Sequence, residues 1–462
     1  MANKTLFERI RDAGIPAWTY PYGAPDRTFE LLTHGGYYAL GNYRERSVRL
    51  VDLFQGVLCR IIRPDHPYLK EIRNKYSNGT IASHISAASV HENIAKLMER
   101  LQEELAPIGK YRILLGSNGS TINDQGQRIA ITFLNGGVPF YLADAYHGNN
   151  IFENGICGAN KWASKHIKQI LRRQEGLSLH VKNDLETVED LLFEYAKAGV
   201  KPIFMFEDIQ GVGTGFGNPG EEFLCKASKL VHDAGGLTFN DIVQTMFRRG
   251  VIMPPFYWMK EAPSPEMSIN QCSNPAVDFK VFESKAVSEY KKRVPDFITS
   301  AKAFANGESL AFLAVREDIA LAVNPTDYGL HWDTFAHNAM YTEIALEVLN
   351  IYRDEKLGEN IIARSEELWC GVRKIQEDYP HIIKHLQGHR FMLGIVLPSA
   401  AYGLEAVACA PQFGIYLGKG GREGNVLRVA PLADITKEGI EEAVDGLRKM
   451  TKYLAEEFKT AQ

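Results

Sequence analysis

Four separated segments carry side chains able to do acid–base or covalent work. The first is Leu115-Gly-Ser-Asn-Gly119-Ser120-Thr-Ile-Asn123. Glycines let a backbone approach an anion, and free N–H groups at a helix N-terminus hold phosphate. The Ser120 hydroxyl adds a donor, although Gly/Ser/Asn clusters are also ordinary turns. The second is Tyr146-His147-Gly148, whose aromatic ring can stack on a planar ligand or pack at a sheet edge. The third is Phe239-Asn-Asp241-Ile-Val243-Gln244-Thr245. An acid at a strand's carboxyl end can hold a protonated ring nitrogen, and Gln244 can reach a phenolic oxygen. Asp241 could equally cap the next helix. The fourth, Pro295-Asp-Phe-Ile-Thr-Ser-Ala-Lys302-Ala, sets a lysine among small apolar residues. Desolvation would lower its pKa and make it an amine nucleophile, whereas most lysines snorkel to solvent.

Other motifs are weaker. Gly211-Val-Gly213-Thr-Gly215-Phe-Gly217 follows a strand and precedes a helix, yet no GxGxxG register fits. It reads as a glycine turn, and a dinucleotide site is not expected. No GxxxxGK[ST] occurs. The six cysteines (Cys59, Cys157, Cys225, Cys272, Cys370 and Cys409) are dispersed, without a CxxC or Cys/His ligand pattern. Free thiols in a reducing compartment and no metal site follow. The 462 residues carry 52 basic and 56 acidic side chains, a net charge of −4 with no basic stripe. That disfavours a nucleic-acid partner. No apolar run is long enough for a membrane span. Met1 to Gly14 mixes Lys4, Glu8, Arg9, Arg11 and Asp12, which argues against a targeting leader and for a cytoplasmic protein.

These segments need strands to carry them. Largely apolar runs predict strands over Arg112–Leu115, Val138–Ala143, Lys201–Phe206, Gly236–Phe239, Asp296–Thr299 and Leu310–Val315. Helical patterns lie between them. Asn183 or Asp184 caps one that ends at Gly199, and Pro219 starts another that ends at Gly235-Gly236. The alternation predicts an α/β fold with a mostly parallel, doubly wound sheet, whose ligand sits outside the strands' carboxyl ends. The last third reads as helices over Ala339–Glu355, Asn360–Tyr379 and Thr436–Phe458, with strands at Arg390–Val396, Gly414–Leu417 and Val426–Val429. We therefore expect three parts. Residues 1–70 form an N-terminal segment, with strand-like pieces at Tyr37–Leu40 and Ser47–Leu53, that packs with a small domain. Residues 71–334 form a large domain, and 335–462 form the small α+β domain. The Pro-rich 251–294 region reads as an insertion or lid-like loop.

A phosphate cradle, a stacking aromatic, an acid for a pyridine nitrogen and a Schiff-base lysine are together the parts of a pyridoxal 5'-phosphate site. Their order and wording resemble the class III (ornithine/4-aminobutyrate type) aminotransferases of pyridoxal phosphate fold type I. The resemblance runs from about residue 35 to 455, outside 251–294. It implies Gly119 and Ser120 at the phosphate and Tyr146 on the cofactor ring. It further implies Asp241 on the pyridine nitrogen, Val243 against the ring, Gln244 on the ring oxygen and Lys302 as the Schiff-base lysine. Trp332-Asp-Thr334-Phe-Ala-His-Asn338 resembles the stretch whose threonine reaches the neighbouring subunit's phosphate. That implies a homodimer with shared sites. Leu427-Arg428-Val-Ala-Pro431-Leu resembles the segment whose arginine can face a substrate carboxylate.

Departures from the pattern bear on substrate. Glu207-Asp208-Ile-Gln stands for the relatives' Glu-Pro-Ile-Gln. Val212 stands where ornithine- and 4-aminobutyrate-type members place a glutamate opposite Arg428, and Asn149 where they carry a carboxylate-binding arginine. Arg428 is then either free for an α-carboxylate or part of a structural ion pair. The expected activity is transfer of an amino group from an amine or amino acid to a carbonyl acceptor, with Lys302 and Asp241 catalytic. A racemase, epimerase, aminomutase or decarboxylase on the same scaffold is the alternative, and a ligand-binding protein without turnover a third reading.

Overall fold

The computed structural model describes residues 29–44, 46–78, 91–148, 180–253, 294–323 and 333–458. Its largest sheet is built from β4 (Tyr111–Gly116), β5 (Val138–Leu142), β6 (His180–Val181), β7 (Pro202–Phe206), β8 (Leu237–Asp241), β9 (Phe297–Ser300) and β10 (Ala311–Arg316). The order is β4-β10-β9-β8-β7-β5-β6. The run from β6 to β9 is parallel, and β10 is antiparallel to both of its neighbours. Every residue of β5, β7, β8 and β9 is buried, as expected of strands covered on both faces. Side chains alternate between two cores: Phe204 and Phe206 of β7 enter one, and Ile203 and Met205 the other.

The expected strands form within a residue or two of their predicted limits. The helices between them are α3 (Gly119–Phe133), α4 (Leu185–Ala198) and α5 (Glu221–Asp233), preceded in the chain by α1 (Pro67–Ser77) and α2 (Glu92–Leu105). Asp184 caps α4 by accepting from Thr187 N at 2.8 Å, and Gly199 closes it at φ +70°. Pro219 does not begin α5. Gly220 intervenes at φ +95°, a turn conformation natural to glycine, and the helix starts at Glu221.

Beyond the sheet, α6 (Glu317–Ala322) precedes α7 (Ala339–Asp354) and α8 (Leu357–Asp378). A second sheet follows, all antiparallel in the order β11-β12-β15-β14: β11 (His385–His389), β12 (Met392–Val396), β14 (Gly418–Gly420) and β15 (Val426–Val429). The strand expected over Arg390–Val396 is instead the second arm of a hairpin, because Arg390 turns at φ +51° and pairs His389 with Met392. Helix α9 (Ala400–Cys409), which no expected element covers, leads into β13 (Ile415–Tyr416), and α10 (Lys437–Glu457) ends the fold. β1 (Glu30–Gly35), β2 (Tyr38–Tyr43) and β3 (Arg46–Asp52) form a third sheet that β13 joins in parallel, Ile415 opposite Val51. The two ends of the chain are thereby stitched together. Most of the 251–294 insertion lies outside the described residues. No described helix is long and apolar enough to cross a membrane.

Candidate active site

Two neighbouring strands set the centre of the site. β8 and β9 run parallel with Asp241 opposite Thr299, so both end at the same sheet edge. Asp241 closes β8, and Lys302 follows two residues after β9 ends. The turn after β4 reaches the same place. A Cβ built on Gly119 would sit 3.2 Å from Val243 Cγ2 and 3.7 Å from the Cβ of Ala301. Three of the four sequence-predicted segments therefore meet at one point. Asn118 caps α3 by accepting from Thr121 N at 2.9 Å, so Gly119 and Ser120 stand in the first turn of a fifteen-residue helix.

Asp241 is buried and held from both sides. Its Oδ2 accepts from Asn123 Nδ2 at 2.9 Å and pairs with His147 Nδ1 at 3.0 Å, and its Oδ1 accepts from Val243 N at 3.0 Å. Asn123 is oriented in turn, donating to His147 O at 2.8 Å and accepting from Thr299 Oγ1 at 2.6 Å. Asp241 is thus no simple helix cap. Lys302 is half-buried and opens a short 3-10 turn, Lys302–Ala305, with φ +51°. Left-handed backbone in a non-glycine residue is uncommon and clusters at functional sites. Burial holds the lysine's pKa below its usual range, with Arg428 adding to the effect and Cys59, Asp241 and Glu207 opposing it.

Tyr146 is anchored through its backbone, since Glu207 Oε2 accepts from Tyr146 N at 3.0 Å. The other oxygen, Oε1, accepts from Gly211 N at 3.0 Å. Burial pushes this carboxyl up to about 7, against the pull of His147 and with Asp241 adding to the rise. The glycine-rich turn after β7 has a packing role. A Cβ on Gly211 would overlap the Gln244 amide at 2.3 Å, and one on Gly215 would meet Val426 at 2.6 Å. Gln387 Nε2 donates to the carbonyls of Thr214 and Gly215 at 2.6 and 2.9 Å.

Arg428, on β15, is only 2% exposed. Its Nη2 donates to Gln244 Oε1 at 2.5 Å, and its guanidinium carbon lies 4.8 Å from the ring centre of Phe216 and 5.6 Å from that of Phe54. A Cβ on Gly420 would meet Arg428 Cδ at 2.7 Å and Val212 O at 3.0 Å. The Val212 carbonyl therefore lies near the Arg428 side chain. Gln244 is engaged with Arg428. Thr334 stands apart: it is exposed, and its neighbour Phe335 is 61% exposed. Asp333 ties this loop to the site by accepting from Ser117 N at 2.6 Å. Asn149 and Trp332 lie outside the described residues.

Sequence reasoning assigns no role to Asn123, His147, Phe54 or Phe216. Asn123 is legible in part, since it lies one helical turn after Gly119 and so on the same face. The two phenylalanines carry no local signal. The residues fit a pyridoxal phosphate: a helix N-terminus for a phosphate, a half-buried amine with depressed basicity, and a buried carboxylate at the same sheet edge.

The mostly parallel sheet gives the chain the α/β architecture of pyridoxal phosphate fold type I. Among solved structures, a transaminase from the marine bacterium Virgibacillus matches with a TM-score of 0.76 over 98% of this chain and 100% of that one, at 16% identity. An ornithine aminotransferase from Toxoplasma gondii matches with a TM-score of 0.74 over 99% and 97%, at 17% identity. In sequence, the mitochondrial alanine–glyoxylate aminotransferase 2 homolog 2 of Arabidopsis thaliana is 25% identical over 88% of this chain and 80% of its own length. Residues 286–451 match the family model "Aminotransferase class-III". These likenesses run to class III aminotransferases and support an enzyme that transfers amino groups with pyridoxal 5'-phosphate. They do not favour the racemase, epimerase, aminomutase or decarboxylase alternative.

Proposed function

We propose that Lys302 is the residue that holds the cofactor, and that this chain moves an amino group from an α-amino acid donor to a carbonyl acceptor. The observation that carries the assignment is the convergence of Lys302, Asp241 and the Gly119 turn at one sheet edge. Gly119 and Ser120 would take the phosphate, Tyr146 and Val243 the two faces of the ring, Asp241 its nitrogen and Gln244 its ring oxygen. When bound, the cofactor supplies an electron sink for the charge left as the substrate's α-proton departs. The chain's residues do the rest. Asp241, fixed by Asn123 and His147, keeps a proton at the ring nitrogen. Lys302 Nζ would take the proton from the substrate's Cα, and burial depresses its basicity. Arg428 receives the α-carboxylate. Its buried guanidinium is held by a neutral amide and two aromatic faces, and its side chain lies near the Val212 carbonyl.

The same reading includes a homodimer in which the exposed Thr334 loop reaches the partner's phosphate site, the three-part domain division with an insertion at 251–294, and a cytoplasmic location. The location is read from the dispersed cysteines, which show no CxxC or Cys/His ligand spacing. Sedimentation, limited proteolysis and cell fractionation test these in turn. The central test is the visible spectrum of the loaded protein titrated with amines in the absence of an acceptor. An α-amino acid should convert the cofactor band to that of its amine form, and the matching amine lacking a carboxylate should do so far less. No cofactor band after loading would overturn the assignment.

A further inference from the structure

We infer that Glu207 is a positioning residue that locks the ring-stacking loop and the carboxylate-recognition arginine into one geometry. The inference rests on the assignment of Tyr146 and Arg428 above. Glu207 is buried at the end of β7, between the loop that follows β5 and the turn that follows β7. One carboxylate oxygen accepts from Tyr146 N and the other from Gly211 N, each at 3.0 Å. Both donors are backbone N–H groups, so only an oxygen can face each of them.

From Gly211 the constraint passes on by contact. The absent Cβ of Gly211 is filled by the Gln244 amide, whose Oε1 holds Arg428 Nη2. A shift of the Gly211 backbone would therefore move Gln244, and Arg428 with it. From Tyr146 the constraint passes to the adjacent His147, which pairs with Asp241. The groups that act on the Glu207 charge are His147, Asp241 and the two amides, and Lys302 feels it in turn. A single carboxylate therefore sets the stacking ring relative to the arginine, and through them donor selectivity.

The test uses the cofactor-loaded enzyme and two donors, an α-amino acid and the amine that lacks its carboxylate. Glu207→Gln keeps the shape but turns an N–H2 towards one backbone N–H, so one of the two bonds is lost. We expect cofactor affinity, or the preference for the carboxylate donor, to fall about tenfold. Faster amide exchange at the Tyr146 or the Gly211 segment should identify which bond was lost. Gly211→Ala leaves Glu207 intact but displaces the Gln244 amide, and should raise KM for the carboxylate donor more than for the amine that lacks the carboxylate. Wild-type preference, affinity and amide exchange in folded Glu207→Gln would overturn the inference. Equal loss for both donors in Gly211→Ala would overturn the relay to Arg428. A wild-type enzyme with no carboxylate preference would instead overturn the reading of Arg428.

Discussion

Two buried charge clusters follow β8 within nine residues of chain, and they are built on opposite principles. In the first, Asp241 shares its oxygens among Asn123, His147 and a backbone amide, and lies beside an amine of depressed basicity. In the second, Arg249 is held by two acids: Asp208 Oδ2 at 3.1 Å and the closely paired Glu221, with His389 Nδ1 at 3.3 Å on its Nε. Asp208 is bonded again by Thr245 Oγ1 at 2.6 Å. The next-door Arg248 is fully buried and reaches carbonyls of Leu58, Arg60 and Pro431 at 3.1, 2.6 and 3.3 Å. Burial lowers it to about 9. The second cluster ties the sheet to the β11 hairpin and to both ends of the chain. The Arg249 charge is thus met by opposite charges, whereas the Asp241 charge is met by an amide, a backbone N–H and a histidine.

Substitutions should separate the two clusters. Lys302→Ala is expected to abolish turnover while the protein unfolds at nearly the same temperature. Near-normal activity would remove Lys302 from the centre of the site. Asp241→Asn should keep the cofactor bound but slow proton removal by about two to four orders of magnitude. Deuterium exchange at the substrate α-carbon reads this, and an unchanged rate would place Asp241 with the structural cluster.

Arg249→Met reverses the expectation. It strands two buried acids and should cost about 3–5 kcal/mol in denaturant unfolding. Activity per folded molecule should change little. Arg428→Lys loses the planar fork and should raise the KM for a carboxylate donor about tenfold, with kcat less affected. The smallest effect concerns pH. The Glu207 carboxyl is raised to about 7 from its ordinary 4.5. Its contribution to stability is therefore full below the unfolded value and lost as pH rises through about 7. Between those limits the wild type should lose stability relative to Glu207→Gln, measured as paired melting curves. Parallel curves would mean that Glu207 titrates normally.

Much of this architecture is legible in the chain's local patterns. The strands announce themselves because burial on both faces favours largely apolar runs, as in Val138–Leu142 and Pro202–Phe206. The caps at Asp184 and Thr436 are local chemistry, and both accept the expected backbone N–H. The β11 hairpin escapes such patterns because its turn rests on Arg390 at φ +51°, a residue with no turn preference. Phe54 and Phe216 escape them because an aromatic over a guanidinium is a long-range contact with no sequence period.

By itself, the sequence determined what kinds of side chain stand at strand ends and in which order, because hydrophobic period and turn chemistry act over a few residues. It could not say that Arg428 bonds Gln244 under the Phe216 ring, which carboxylate orders Tyr146, or that the glycine-spaced turn at Gly211–Gly217 serves as packing. Those outcomes depend on which backbones approach within contact distance. The close approaches at Gly119, Gly211 and Gly420 arise only when separate strands and turns are laid side by side. Tertiary structure alone decided them, since contact between residues far apart in the chain is fixed by packing and not by any local preference.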